Sequence, residues 1–382
     1  MHIRLRCSFT CAFHANKGGR LHNRSRWFAY LSCLEKRKND SLFRQMWLRM
    51  GRQFNLIAEE PPISLQDRAA LEIIEGTVSE SFYVKMCNLL RSLQLTWYLC
   101  IMITFPIAKV NLGLNVVERR SDGYHNLETV FYPVPIKDQL EVNAIDGESS
   151  SDVECDLQVA NLKIDCDNQQ NLVVKAYRLL KQDFPQMPRV EAVLTKVIPT
   201  QAGMGGGSSD CAFMLSMLNE MFQLGLSEDQ LIGYASRLGA DCAFFIRKRP
   251  SYAEGIGERL QDIDLSLSGL YMAVVRPNIP VSTKEAFSLI TPQHPLKNCR
   301  EIVKQPLETW RNELTNDFER SVFALHPAIG RVKEQLYEMG AVYAAMSGSG
   351  SALFGLFRNQ QDCDGELLKC RFETMFTATI PL

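Results

Sequence analysis

No stretch of this sequence is apolar enough to cross a bilayer. A helical span needs about 20 consecutive, mostly apolar residues. The nearest approach is the short patch WYLCIMITF at 97–105, which reads instead as the lead-in to a strand. C-x-x-C pairs are also missing. The 12 cysteines are spread from Cys7 to Cys370 with no histidine cluster near them, which argues against a zinc ribbon or a disulfide framework and for plain thiols in a reducing compartment. There is no internal repeat and no low-complexity tract. Long enough at 382 residues for two ordinary domains, the chain has the composition of a soluble globular protein.

Acidic residues are absent from the first 34 positions, and the net charge of −1 conceals the resulting split. Residues 1–101 carry 15 Lys+Arg against 8 Asp+Glu, and residues 102–382 carry 27 against 35. The first segment lacks sustained helical or strand periodicity, although Ser64–Ile74 suggests one short helix. An acid-free basic start fits an organelle presequence, and a small accessory domain is a second reading. The reading we favour is a start upstream of the native one, with Met102 opening a cytoplasmic protein. The basic character of 1–101 then says nothing about partners, and neither nucleic acid nor membrane is expected.

From Ile103 onward, alternating strands, glycine turns and amphipathic helices replace this texture, as in an α/β or α+β protein. Ile107–Val116, Leu140–Ala144, Val190–Ile198, Tyr271–Val275 and Ala352–Phe357 read as strands. Leu172–Phe184, Ser208–Phe222, Ser227–Leu238, Thr283–Ile290 and Ala328–Met339 read as helices.

Between the strand ending near Ile198 and the helix opening near Ser208 stands QAGMGGGSSDCAF (201–213), with four glycines in five positions. Glycines admit positive φ and close backbone approach, so successive amides can form a nest for anions. Ser208 or Ser209 is placed to cap the helix, whose first turn adds unpaired N–H donors and a positive dipole end. The pattern fits a phosphate cradle. It is not a Walker loop, since no G-K-[ST] follows, and it lacks G-x-G-x-x-G spacing. A plain connecting turn is the alternative.

Three further stretches favour the cradle. AKVNL (108–112) sets Lys109 and Asn111 in an apolar strand, where a buried amine needs a partner or a function. GADCAFF (239–245) sets Asp241 in apolar surroundings that call for a cation. MSGSGSALFGLF (346–357) is a second glycine and serine loop entering a strand. Each has a plainer reading: an edge lysine, a turn-capping aspartate and a tight turn.

Together these segments resemble the GHMP kinases, in order over residues 102–382 and nowhere in 1–101. SDGYHNLETVF (121–131) narrows the likeness to the members that phosphorylate a diphosphocytidyl methylerythritol in the non-mevalonate isoprenoid route. The resemblance implies an α+β fold, with a ribosomal protein S5 domain 2-like N-terminal domain at 102–257 and a ferredoxin-like C-terminal domain at 258–382, the boundary lying near Gly255–Asp264. It implies ATP as co-substrate with Mg²⁺. Pro199, Thr200, Gln201, Ala202, Gly203, Met204, Gly205, Gly206, Gly207, Ser208 and Ser209 would hold the phosphates, Ser209 being a candidate metal or phosphate contact. Asp241 would take the proton of the attacking hydroxyl, with Lys109 beside it steadying the developing charge. Tyr124 and Phe287 would sandwich the cytosine, His125 would meet its edge, and Asn111 and Thr283 would contact substrate near the reacting pair. Two positions depart from the family pattern: Cys242-Ala243 replaces Val-Pro after the acid, and Gln201 stands where a small residue is usual. Another small-molecule kinase of the family and an inactive nucleotide-binding relative are the rival readings. The partner expected is the small-molecule substrate, and a homodimer is compatible with the family.

Overall fold

The computed structural model describes residues 101–145, 154–161 and 167–382. The expectations for the segment before Ile101, including the helix Ser64–Ile74, lie outside the described residues. The described part falls within one compact unit, Ile101–Leu382. No helix among the described residues is long and apolar enough to cross a membrane.

Three four-stranded sheets build the fold. The first has the order β1-β4-β6-β5, formed by β1 (Ile101–Thr104), β4 (Gln139–Ile145), β6 (Arg189–Thr195) and β5 (Cys155–Ala160). Only β5 and β6 run parallel, and α1 (Leu172–Asp183) makes the crossover that a parallel pair requires. Tyr177 and Leu180 of α1, Leu140 of β4 and Leu194 of β6 share one core with α2 (Gly206–Met221), α3 (Glu228–Leu238) and α4 (Cys242–Arg247).

In the second sheet the long hairpin of β2 (Ile107–Arg119) and β3 (His125–Lys137) is extended by β7 (Ser251–Glu254) and β8 (Arg259–Asp262). β7 and β8 pair from Ser251↔Asp262 to Glu254↔Arg259, so a division at 257/258 falls inside their turn and this sheet runs on to Asp262. The third sheet has the order β10-β11-β9-β12, from β10 (Tyr343–Met346), β11 (Leu353–Phe357), β9 (Tyr271–Arg276) and β12 (Phe376–Pro381). Ala108, Val110 and Leu112 of β2 pack with Met272, Val274 and Phe354 of the third sheet. Its other face meets α8 (Phe318–Leu325) and α9 (Pro327–Glu338) through Val322, Ile329 and Val332. The remaining helices are α5 (Thr283–Phe287), α6 (Cys299–Ile302), α7 (Leu307–Glu313) and α10 (Gly365–Arg371).

Candidate active site

Strand periodicity assigns the two faces of β2. Ala108, Val110 and Leu112 enter the core, so Lys109 and Asn111 face the opposite way, yet both are buried, at 3% and 2% exposure. Lys109 Nζ donates to Asn111 Oδ1 at 2.5 Å, stands 3.4 Å from Asp241 Oδ2 and lies 4.9 Å from the centre of the Phe131 ring. Asn111 Nδ2 donates to Thr129 Oγ1 at 2.9 Å, and Thr129 Oγ1 donates to the Gly113 carbonyl at 2.6 Å. Burial pulls the lysine below its usual range, and Asp241 opposes that shift. The exposures differ in a useful way: the Asp241 side chain is 31% exposed and that of Lys109 only 4%. The carboxylate therefore faces the open side, with the ammonium behind it. Asp241 precedes α4 without capping it, so its side chain remains free for Lys109.

The glycine loop opposes this pair. Gln201, Gly203 and Gly205 all have positive φ, at 51°, 70° and 70°; alternation of left-handed with ordinary residues is the geometry that turns successive amides inward as a nest. The loop carbonyls are taken up by the protein. Met204 O accepts from Lys109 N, Gly203 O from Ser347 Oγ and Ala202 O from Ala352 N, which directs the amides across each peptide plane the other way. A Cβ on Gly203 would stand 1.8 Å from the Ser347 carbonyl oxygen, and one on Gly205 2.7 Å from the Phe245 ring. The helix begins earlier than its hydroxyls suggest. Gly205 is the N-cap of α2, so Ser208 and Ser209 lie inside the first turn and neither caps it. The physical reason is that the left-handed bend at Gly205 already aims the first-turn amides at the loop. Ser208 Oγ is turned toward Gly239, where an added Cβ would be 3.9 Å away. Ser209 Oγ is buried without a hydrogen-bond partner.

A cluster that sequence reasoning missed lies beneath the loop. Lys196 Nζ pairs with Asp138 Oδ2 and with Asp210 Oδ2, the latter at 2.7 Å. Asp138 Oδ1 also accepts from Ile198 N at 2.8 Å and from Val197 N. The loop's entry at 196–198 and its exit at Asp210 are thus clasped together. All three side chains are buried, and burial pushes the Asp210 carboxyl up to about 8, against the pull of Lys196. The available signal was a lone lysine following the apolar alternation of Val190–Leu194.

At the other end, the structure brings together only part of the expected base pocket. His125 and Phe287 stack with ring centres 4.5 Å apart and planes 21° from parallel, too close to admit a third ring. Phe318 meets Phe287 edge-on at 4.7 Å. Burial, then the charge of Arg119, hold the His125 imidazole below its ordinary range. Tyr124 is 62% exposed rather than facing Phe287, and Thr283 is exposed at the start of α5.

An anion nest opening a helix, facing a carboxylate backed by a buried ammonium in an α+β fold, defines a small-molecule phosphotransferase. The model of the GHMP kinases N terminal domain matches residues 171–249, and that of the GHMP kinases C terminal matches 297–364. The 4-diphosphocytidyl-2-C-methyl-D-erythritol kinase of Bacteroides fragilis is 50% identical over 275 residues, covering 72% of this chain and 97% of the relative. Its counterpart in Bacteroides thetaiotaomicron is 54% identical over 256 residues, covering 67% and 92%. A crystal structure of 4-(cytidine 5'-diphospho)-2C-methyl-D-erythritol kinase aligns with a TM-score of 0.63 at 30% identity, covering 74% of this chain and 100% of that one. Methanococcus jannaschii mevalonate kinase shares the fold, with a TM-score of 0.51 at 15% identity and coverage of 74% and 98%. The chain belongs to the GHMP kinases and, within them, to the 4-diphosphocytidyl-2-C-methyl-D-erythritol kinase family.

Proposed function

We propose that this protein transfers the γ-phosphoryl group of ATP to the 2-hydroxyl of 4-diphosphocytidyl-2-C-methyl-D-erythritol in the cytoplasm, yielding the 2-phosphate and ADP. The observation that carries this reading is the Lys109–Asp241 pair, 3.4 Å apart, with its carboxylate on the open side opposite the glycine nest. Phosphoryl transfer asks mainly for positioning and charge neutralisation. The amides of 201–207 and the first turn of α2 hold the phosphates, and the Ser208 hydroxyl is turned toward Gly239. Asp241 accepts the proton of the attacking alcohol as the oxygen–phosphorus bond forms. Lys109 stays behind it, steadying the developing charge, while Asn111 fixes the ammonium.

Among the described residues no cluster of three or more His, Cys, Asp or Glu side chains is placed to hold a metal. Mg²⁺ is commonly held by substrate phosphates and water with one or two protein oxygens, and Ser209 Oγ, buried without a hydrogen-bond partner, would be one such oxygen. Bound with ATP, the ion draws charge from the phosphoryl oxygens. The cytosine takes the place of the His125 ring against Phe287, with Tyr124 folding over its other face, and the released imidazole meets the base edge.

The deciding assay compares ADP release with the diphosphocytidyl substrate and with methylerythritol phosphate lacking the cytidylyl group. Turnover of the first only is expected; equal turnover would point to another small-molecule kinase, and none to an inactive relative. Asp241→Asn is expected to lower kcat at least about 100-fold while substrate binding persists, since the amide keeps the shape but cannot take the proton. A near-normal kcat would remove Asp241 from the role of base.

A further inference from the structure

The second glycine and serine loop, between β10 and β11, rests on the phosphate loop and has been given no role in the reaction itself. Ser347 Oγ donates to the Gly203 carbonyl at 2.9 Å, and Ala352 N donates to Ala202 O at 3.3 Å. A Cβ on Gly348 would stand 3.2 Å from Gly203 O and 3.4 Å from Asn111 Oδ1. The peptide at 347–348 is therefore the material between the phosphate loop and the residue that fixes Lys109. Beside the direct bond from Lys109 N to Met204 O, its placement fixes how the Gly203 side of the phosphate loop sits against the reacting pair.

Asn316 holds that peptide. Its side-chain amide is buried, and Nδ2 donates to Met346 O at 2.7 Å and to Gly348 O at 2.9 Å. Oδ1 accepts from Phe318 N at 3.0 Å. Both amide protons are thus used on the loop and the oxygen on the residue's own segment. That segment is docked on β2: Leu114 N donates to Thr315 O at 2.9 Å, Asp317 N to Leu114 O at 2.8 Å, and Val116 N to Asp317 Oδ2 at 2.8 Å. Glu319 Oε1 accepts from Met346 N at 2.8 Å, and its other oxygen pairs with Lys333. One end of the bracket is the strand that carries Lys109 and Asn111, and the other is the loop resting on Gly203.

We propose that Asn316 is a positioning residue for phosphoryl transfer, setting through Met346 and Gly348 the separation between the phosphate loop and the Lys109–Asp241 pair. The inference rests on the function proposed above. Aspartate, of the same shape, cannot replace it: as a carboxylate it sets oxygens against two carbonyl oxygens, and only when protonated does it offer one donor. Burial beside those carbonyls favours the protonated form, so a rise in pH breaks the bracket in an Asn316→Asp chain.

The test is steady-state kinetics of full-length Asn316→Asp beside the parent, with ATP, Mg²⁺ and the diphosphocytidyl substrate, across pH and well below the variant's Tm. The expected result is a kcat lower by about 10- to 100-fold, the loss that accompanies a misplacement near 1 Å, with both KM values within about threefold. The variant's kcat should fall further as pH rises over a range where the parent is flat. A folded variant with the parent's kcat, or one whose loss shows no such pH dependence, overturns the proposal. If Asn316→Asp does not fold, Asn316→Ser, which keeps one donor, should show the same kcat-selective loss, and a normal kcat there overturns it. A parent that does not phosphorylate this substrate overturns the proposed function and this inference together, whereas a normal variant beside an active parent overturns the inference alone.

Discussion

Gln201 is the residue at which the phosphate loop carries strain. It is exposed, yet its φ of 51° is left-handed, a conformation that costs a non-glycine residue about 1–2 kcal/mol. The alternation of the nest requires that φ, and nothing requires the side chain. Gln201→Gly is expected to raise stability by about 1 kcal/mol, part of the relief being offset by the greater freedom of the unfolded glycine, with kcat unchanged. Chemical denaturation and a routine assay would check both, and a destabilised variant would mean that the glutamine side chain makes a favourable contact. Lys109 leads to a pH prediction. Burial lowers its pKa below the ordinary 10.5, so the ammonium is lost earlier than that of a free lysine as pH rises. The alkaline limb of kcat should therefore lie below pH 10.5, and in the residual activity of Lys109→Arg, which keeps its charge, that limb should vanish. A limb unmoved in the arginine variant would assign it to another group.

Elements were legible where their pattern was one-sided. Amphipathic α1 and α3 lie within one residue of their expected ends, Leu172–Asp183 and Glu228–Leu238. In α4, CAFFIR, Cys242 to Ile246 are all buried and only the terminal Arg247 is polar, so there is no period to read. The sequence reading placed no strand over His125–Lys137, yet β3 runs there, through Pro133 and Pro135. The reason lies in the pairing: β7 covers only Thr129–Phe131, so beyond Phe131 β3 is an edge on that side, where proline is tolerated. The clasp of Lys196, Asp138 and Asp210 belongs to this scale because it joins β6, the start of β4 and α2. Lys196→Met would leave the buried carboxyl groups of Asp138 and Asp210 without their cation, and should cost about 3–5 kcal/mol and raise KM for ATP. Asp210→Asn, which still offers an oxygen to Lys196, should cost much less. Denaturation of the two variants side by side checks the order; equal losses would mean that the clasp depends on the charge of Asp210, which its amide cannot replace.

At the scale of the whole molecule, the reaction needs two ends of the substrate held by different parts of the fold. The proposed function gives the base end to His125 and Phe287, which stand on β3 and α5. His125→Ala and Phe287→Ala should raise KM for the diphosphocytidyl substrate and leave KM for ATP nearly unchanged; movement of the ATP constant instead would reverse the pocket assignment. A chain beginning at Met102 should keep kcat and Tm. Of the described residues it loses only Ile101, which pairs with Asn143 at the end of β1, and one relative is matched over 97% of its length by 72% of this chain. Loss of activity would show that the preceding residues contribute to the working enzyme.

What the sequence by itself determined was chemistry carried by short local patterns. The glycine run, the lysine in an apolar strand and the acid in GADCAFF are each legible because glycine and buried charge are costly unless used; the family resemblance then joined Lys109, Asp241 and the loop in one expected site. Only the tertiary structure decided what depends on residues distant in the chain. The separation of 236 residues between Asn111 and Ser347 leaves no local trace of their contact, and Asn316 looks like any loop asparagine until β2 and the second loop meet it from either side. The same holds for His125: its stacking on Phe287 follows from the way α5 packs beside β3, which no periodicity within either element encodes.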